Sequence, residues 1–240
     1  MATTFTLLPS PLLGPAAWEP VRDVLRARGH RVVVADVPVR PSGPDDVLAR
    51  LRAAVPPDGD VVLVPHSNAG LYAPALAGQV LTAPERRIAT VYVDAALPSS
   101  TPTTPLAPAG LLAHLTGLAG DDGWLPPWTA WWDDAEVDRL FPSTTWRRRV
   151  EEAQPRLPLA YFRSRVGVPA GWATRPSAYL SFGDTYEREV TEARSLDWPV
   201  AVLDGGHLHM LHDPEAVASA VLGLLEQLAR RTPSAGGSSA

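Results

Sequence analysis

Short valine-rich runs alternate with amphipathic segments along most of this chain, and this alternation restricts the possible folds more than any other feature. Six runs have the length and composition of buried strands, at 3–8, 31–37, 60–64, 88–94, 177–182 and 199–203. Helical periodicity occupies 18–28, 44–55, 187–196 and 213–230. Continuous apolar strands separated by helices are typical of a parallel sheet covered on both faces. We therefore predict an α/β fold with a doubly wound, mostly parallel sheet of about six strands.

A different kind of sequence separates the fourth and fifth of these runs. Residues 97–176 are rich in proline and contain many of the tryptophans of the chain. A structureless loop of that length is implausible inside a compact domain, so part of it, for example 144–154, is predicted to be helical. We expect residues 1–96 and 177–230 to form the core and residues 97–176 an inserted helical cap or lid. Residues 231–240 lack apolar periodicity and are predicted to be a flexible tail.

The composition excludes several classes of partner and chemistry. The formal net charge is -5, and all 21 basic residues are arginine, so no basic field favours nucleic acid or an anionic membrane. The absence of cysteine excludes disulfides, thiolate metal sites and a cysteine nucleophile. The first residues do not resemble a secretory leader, and no run of about 18 apolar residues is present. We expect a cytoplasmic protein, and its oligomeric state stays open.

The segment VVLVPHSNAGLY, which begins at Val61, changes abruptly from strand to helix with a serine at the corner. In open α/β sheets the ligand site lies beyond the carboxyl ends of the strands, which is where Ser67 falls. A nucleophile on a strained strand-to-helix turn needs small neighbours, usually as G-x-S-x-G. Ala69 and Gly70 fit this pattern and Pro65 departs from it. Ser67 is the predicted nucleophile, although serine is also a common helix N-cap, and the Asn68 N–H is predicted to face an oxyanion.

A serine nucleophile requires a histidine base and a carboxylate that orients it, and both follow in the chain. His207 comes after the last predicted strand, behind two glycines, and Asp184 comes just after the fifth predicted strand. His209 and His212 are competing bases. Asp94, at the end of the fourth predicted strand, is the competing acid.

These motifs together resemble the α/β-hydrolase superfamily, specifically the cap-bearing branch that includes plant methylesterases and small carboxylesterases. The resemblance covers most of the chain and rests on the opening strand and loop ending at Trp18, on HSNAG, VYVDAALP and SFGD, and on GGHLHMLHDPEAV. It implies Ser67 as nucleophile, His207 as general base and then acid, and Asp184 as the orienting carboxylate. The implied activity is a serine hydrolase that cleaves an ester, lactone or thioester of an apolar small molecule through an acyl-enzyme, without cofactor or metal.

One segment departs from the family pattern. The family usually has His-Gly after its first core strand, and the next residue donates the second oxyanion N–H, whereas this chain has PSPL at 9–12. A proline at the donor position has no N–H, and loss of one donor typically lowers turnover by about 10²-fold to 10³-fold. The Leu12 N–H or the Ser10 hydroxyl is the expected substitute. The departure also keeps two alternatives open, a non-hydrolytic lyase or cyclase and a receptor-like, ligand-binding member of the superfamily.

Aromatic residues predict an apolar substrate pocket. Trp128, Trp131 and Trp132 of the predicted cap, with Tyr72 after the nucleophile, are expected to line it, although tryptophans also serve core packing. The arginine run at 147–149 is expected to be a solvated helix face. Its alternative role is to dock a phosphate-bearing carrier or a coenzyme thioester.

Overall fold

The computed structural model describes residues 3–80 and 86–231. The strands are β1 (Thr4–Leu8), β2 (Arg31–Val34), β3 (Val61–Ser67), β4 (Ile88–Ala95), β5 (Thr103–Pro105), β6 (Arg165–Gly167), β7 (Ser177–Phe182) and β8 (Val200–Leu203). The helices are α1 (Glu19–Ala27), α2 (Pro44–Ala53), α3 (Ala73–Val80), α4 (Ala109–Leu118), α5 (Asp134–Asp138), α6 (Thr144–Ala153), α7 (Leu159–Arg163), α8 (Glu187–Ser195), α9 (His209–His212) and α10 (Pro214–Arg231). Short 3-10 helices lie at Pro15–Trp18, Asn68–Tyr72, Trp128–Ala130 and Trp172–Thr174.

A parallel sheet forms the centre of the fold. Among the described residues it has six strands in the order β2-β1-β3-β4-β7-β8, and each neighbouring pair is parallel. All seven residues of β3 are buried, because helices flank the sheet and leave its central strands no solvated face. The predicted doubly wound sheet is therefore confirmed.

The helices form where the sequence places apolar stripes and terminal signals. In α10 the buried residues recur with helical spacing on one face, and the Asp213 carboxylate accepts the Ala216 N–H at 2.8 Å to cap its first turn. Pro44 occupies the first turn of α2, where its missing N–H costs nothing, and Val47 and Leu51 are buried. The α1 and α10 helices pack against each other, as do α2 and α3.

The segment between β4 and β7 contains α4 to α7 and a small antiparallel pair, β5 with β6. The helix predicted at 144–154 is present as α6, and the Ser143 hydroxyl accepts the Trp146 N–H at its start. Of the predicted tail, Arg231 is the last residue of α10, and residues 232–240 lie outside the described residues. No helix in the described part of the chain is long and apolar enough to cross a membrane.

The topology gathers several loops at one edge of the sheet. Because the strands are parallel, the segments that follow β1, β3, β4, β7 and β8 all leave from the carboxyl edge. The inserted segment also starts there, directly after β4. Side chains from distant parts of the sequence therefore meet at this edge.

Candidate functional site

Ser67 lies at a strained turn between a buried strand and a helix. It is the last residue of β3, and its backbone has φ 56° and ψ -130°, a conformation that is costly for any residue other than glycine. The chain then enters the 3-10 helix Asn68–Tyr72 before α3 begins. At Gly70 a Cβ atom would collide with the Ala96 carbonyl oxygen, so only glycine allows this turn to pack against the end of β4.

His207 is paired with a fully buried carboxylate. Its Nδ1 lies 2.6 Å from Asp94 Oδ2, and Asp94 is 0% exposed. The other carboxylate oxygen, Oδ1, accepts the Phe182 N–H at 2.9 Å. Because a carboxylate oxygen only accepts, Nδ1 carries the proton and the second ring nitrogen, Nε2, is left with a lone pair. This arrangement is that of an orienting acid and a base.

The structure corrects the assignment of Asp184 as the acid. Asp184 is exposed in the turn after β7, and its backbone carbonyl accepts the Glu187 N–H. Asp94 instead turns toward His207 at the end of the neighbouring strand, with φ 41°. The Tyr179 hydroxyl holds the next residue, since it donates to the Ala95 carbonyl at 2.6 Å and accepts the Ala95 N–H at 3.0 Å.

A second histidine supports the loop that carries His207. The ring of His66 stacks on His207 with centroids 4.5 Å apart, and it also meets Trp18 edge-on. Burial holds the pKa of His66 well below its ordinary value, and the nearby His207 acts in the same direction. His66 is therefore neutral, and its Nε2–H donates to the His207 carbonyl at 3.0 Å.

Ser67 and His207 line one cavity of about 710 Å³. Its wall includes three of the predicted pocket residues, Trp128, Trp131 and Trp132, of which Trp132 is 43% exposed. Tyr72 does not line this cavity, although it was predicted to do so. It is fully buried, it lies at a separate cavity of about 600 Å³, and its hydroxyl donates to Tyr161.

Tyr186 is a cavity residue that the sequence did not reveal. Its ring centroid lies 5.7 Å from that of His207. Burial raises its pKa, and a hydrogen bond with the Ser67 side chain partly offsets that rise. Tyr186 therefore lies beside both Ser67 and His207.

The predicted oxyanion groups are only partly brought together. Asn68 and Leu12 line the cavity. Ser10 is not a lining residue; it is 1% exposed, and its hydroxyl oxygen accepts the Leu12 N–H at 3.3 Å. The Ser10 hydroxyl is thus not among the cavity-lining groups, and it engages the other candidate donor, Leu12 N–H.

The arginine run at 147–149 is largely paired with carboxylates. Arg147 forms ion pairs with Asp134, Asp138 and Glu151, and Arg149 contacts Glu19 at 2.6 Å. These contacts correspond to the predicted solvated helix face rather than to an open phosphate dock. Within residues 3–80 and 86–231, no cluster of three or more His, Asp or Glu side chains is arranged to hold a metal ion.

Comparison with known proteins gives a family match and several similar structures. The sequence model described as the alpha/beta hydrolase family matches residues 7–220. No curated protein sequence matches the chain. Polyneuridine aldehyde esterase superposes with a TM-score of 0.70 at 17% identity, covering 94% of this chain and 100% of that one.

Two further structures have a similar fold. An extracellular alpha/beta-hydrolase from a Paenibacillus species has a TM-score of 0.73 at 16% identity, covering 92% of this chain and 98% of its own. Tomato methylketone synthase I, in a variant complexed with β-ketoheptanoate, has a TM-score of 0.71 at 13% identity, covering 95% and 98%. Identities at this level indicate a shared fold.

Proposed function

Because this chain belongs to the alpha/beta hydrolase family and is an enzyme of the hydrolase type, we propose that it cleaves an ester or lactone of an apolar small molecule through Ser67, His207 and Asp94. The observation that carries the proposal is the shared cavity. Ser67 and His207 both line it, and Asp94 fixes the proton of His207 on Nδ1. The nucleophile, the base and the orienting acid are thus supplied by three separate strand ends.

The geometry supports an acyl-enzyme mechanism. His207 Nε2 removes the Ser67 proton as Oγ attacks the substrate carbonyl, and Asp94 stabilises the imidazolium that forms. The Asn68 N–H donates to the oxyanion. The imidazolium then returns its proton to the leaving alcohol, and a water activated by His207 releases the acid. Catalytic hydrogen bonds tighten on substrate binding, so we expect Ser67 to exchange Tyr186 for Nε2 in the complex.

The cavity lining favours an apolar, uncharged substrate over a coenzyme thioester. Trp128 and Trp131, which are largely buried, provide a wide aromatic wall. Carboxylates outnumber cations among the charged lining residues, which are Glu136, Arg188, Glu189 and Glu192. A phosphate-bearing carrier would therefore meet repulsion at this site, and the arginine run at 147–149 already has acidic partners.

Covalent labelling tests the proposal. A fluorophosphonate probe should label the wild type and leave Ser67→Ala unlabelled, with hydrolysis of nitrophenyl esters falling by at least about 10⁴-fold. Ser177→Ala is the matched control, because Ser177 is also buried but lies at the start of β7, away from the carboxyl edge. A series of esters with longer acyl chains would report how much of the cavity the acyl group fills.

Other results would point to the other classes. If activity on the physiological substrate survives Ser67→Ala, no acyl-enzyme is needed, and a lyase or cyclase that uses His207 for proton transfer is favoured. If a ligand binds tightly and no product forms, the chain acts as a receptor-like member. Either result would refute the hydrolytic mechanism.

A further inference from the structure

The side chain of Asn68 connects the nucleophile turn to the inserted segment. Asn68 follows Ser67 directly and is 8% exposed. Its Nδ2 donates to the Leu106 carbonyl at 3.0 Å, and its Oδ1 accepts the Tyr161 hydroxyl at 2.9 Å. Leu106 and Tyr161 come from different parts of residues 97–176, the second from α7. A single carboxamide therefore joins two pieces of the inserted segment to the turn that carries Ser67.

A second tyrosine extends this network in a fixed direction. The Tyr72 hydroxyl donates to the Tyr161 oxygen at 2.7 Å, and both tyrosines are 0% exposed. The chain of donors runs from Tyr72 through Tyr161 to Asn68 and ends on a backbone carbonyl, which can only accept. No member can reverse its role without leaving a buried polar group unpaired, which is costly.

Asn68 links this hydrogen-bond network to the proposed oxyanion hole. Its backbone N–H is the oxyanion donor expected from the turn, while the other candidate, Leu12 N–H, is engaged by Ser10. The Asn68 N–H is therefore the donor on which the site depends most. Its direction is set by the orientation of the Asn68 backbone, which the hydrogen bonds of the Asn68 side chain hold in place.

We propose that Tyr161 is a positioning residue that holds the Asn68 N–H at the oxyanion position by fixing the Asn68 side chain. Docking of α7 onto the core and assembly of the oxyanion hole are then one event. The inference rests on the proposed hydrolase function, since it assigns a part in that reaction to residues that do not touch the reacting atoms. Tyr72 acts one step further away, by holding the Tyr161 hydroxyl.

The test removes one hydroxyl and keeps the ring. In Tyr161→Phe the edge-on contact with Phe162, at 4.9 Å between centroids, is retained, while Asn68 Oδ1 loses its donor. We expect kcat for nitrophenyl esters and the rate of fluorophosphonate labelling to fall by about 10-fold to 100-fold, because misplacement by less than an ångström weakens transition-state contacts. KM should change by less than about twofold, since the cavity wall is untouched.

Tyr92→Phe is the matched control. Tyr92 is also a buried tyrosine, but it stacks on Tyr179 and Trp198 and does not line the cavity that contains Ser67. It should keep kcat and the labelling rate of the wild type. Rates are normalised to active sites counted by burst titration, so that a fraction of misfolded protein does not imitate a catalytic loss.

Asn68→Ala is the second variant in case Tyr161→Phe does not fold. It keeps the backbone N–H and loses the anchor, so the same fall in kcat is expected; KM is not used as a readout for this variant, because Asn68 lines the cavity. If either variant folds and retains kcat within about twofold of the wild type, the inference is overturned while the hydrolase proposal stands. A wild type that neither labels nor hydrolyses any ester overturns the proposed function, and the inference falls with it.

Discussion

Substitution of Asp94 by asparagine is the sharpest test of the site, because the structure fixes what each atom of the new amide would face. Asp94 Oδ1 accepts the Phe182 N–H at 2.9 Å, and Oδ2 accepts His207 Nδ1–H at 2.6 Å. Asparagine has one oxygen and one NH₂ group. The backbone N–H of Phe182 cannot change its role, so the oxygen stays there and the NH₂ group faces His207. Nδ1 must then accept, and the ring proton moves to Nε2, where a base needs a lone pair.

The expected loss can be worked from the same contact. Two unit charges 2.6 Å apart interact by about 6 kcal/mol at an effective dielectric constant of about 20. This is an upper value for the stabilisation that Asp94 gives to the imidazolium in the transition state, because both charges are spread over several atoms. A loss of about 10⁴-fold in kcat, the size seen for the same change in serine proteases, corresponds to about 5.4 kcal/mol. The wrong tautomer and the lost charge together account for a fall of that size.

Steady-state hydrolysis of a nitrophenyl ester measures the effect, with Asp184→Asn as the control. Asp184 is exposed and does not contact His207, so its substitution should change kcat by less than about twofold. Thermal unfolding of both variants separates loss of structure from loss of chemistry. An Asp94→Asn enzyme with more than a tenth of the wild-type kcat, or an Asp184→Asn enzyme that is equally impaired, would refute the assignment of the acid.

The remaining predictions concern the groups around this pair. His66 is neutral in the fold because its pKa is well below 6.5. As the pH falls, the unfolded chain therefore binds a proton at this residue before the folded chain does. The free energy of unfolding should decrease below about pH 6.5, and His66 should contribute a slope of up to about 1.4 kcal/mol per pH unit. Urea titrations at several pH values should show a shallower slope for His66→Gln, and parallel curves for the two proteins would contradict the burial argument. Ser10→Ala removes the acceptor of the Leu12 N–H, so we expect kcat to stay within about threefold of the wild type or to rise. A tenfold fall in kcat would instead indicate that the Ser10 hydroxyl donates to the oxyanion.

The fold was predictable because its signals are local. Each strand of the central sheet is a short apolar run, and each covering helix has a stripe of apolar residues or a terminal signal, as at Pro44 in α2. The turns that carry Ser67 and His207 could be recognised for the same reason, since each follows a strand and contains small neighbours. The expected boundaries differ from those observed at the ends, as in β2, which stops at Val34 rather than continuing to residue 37.

The contacts that the sequence did not reveal are long-range ones. Tyr161 meets Asn68 across 93 positions of the chain, and no local pattern distinguishes it from an ordinary core tyrosine. Tyr72 was assigned to the wrong cavity because its hydroxyl partner, Tyr161, lies 89 positions away in the chain. Tyr186 lies in a polar turn, and its place beside Ser67 becomes visible only when the three-dimensional position of Ser67 is known.

His207 is paired with Asp94 rather than with Asp184, and the two strands that carry these carboxylates explain how either was possible. The β4 and β7 strands are adjacent, so a carboxylate at the end of either can reach His207, and the sequence alone could not choose between them. The chosen residue has a strained backbone, φ 41°, which costs about 1–3 kcal/mol and persists only if its surroundings hold it. Both restraints come from β7: the Phe182 N–H binds Asp94 Oδ1, and the Tyr179 hydroxyl satisfies the two backbone groups of Ala95. The β7 strand thus holds Asp94 in place, while the turn after it exposes Asp184 and places Tyr186 in the cavity wall.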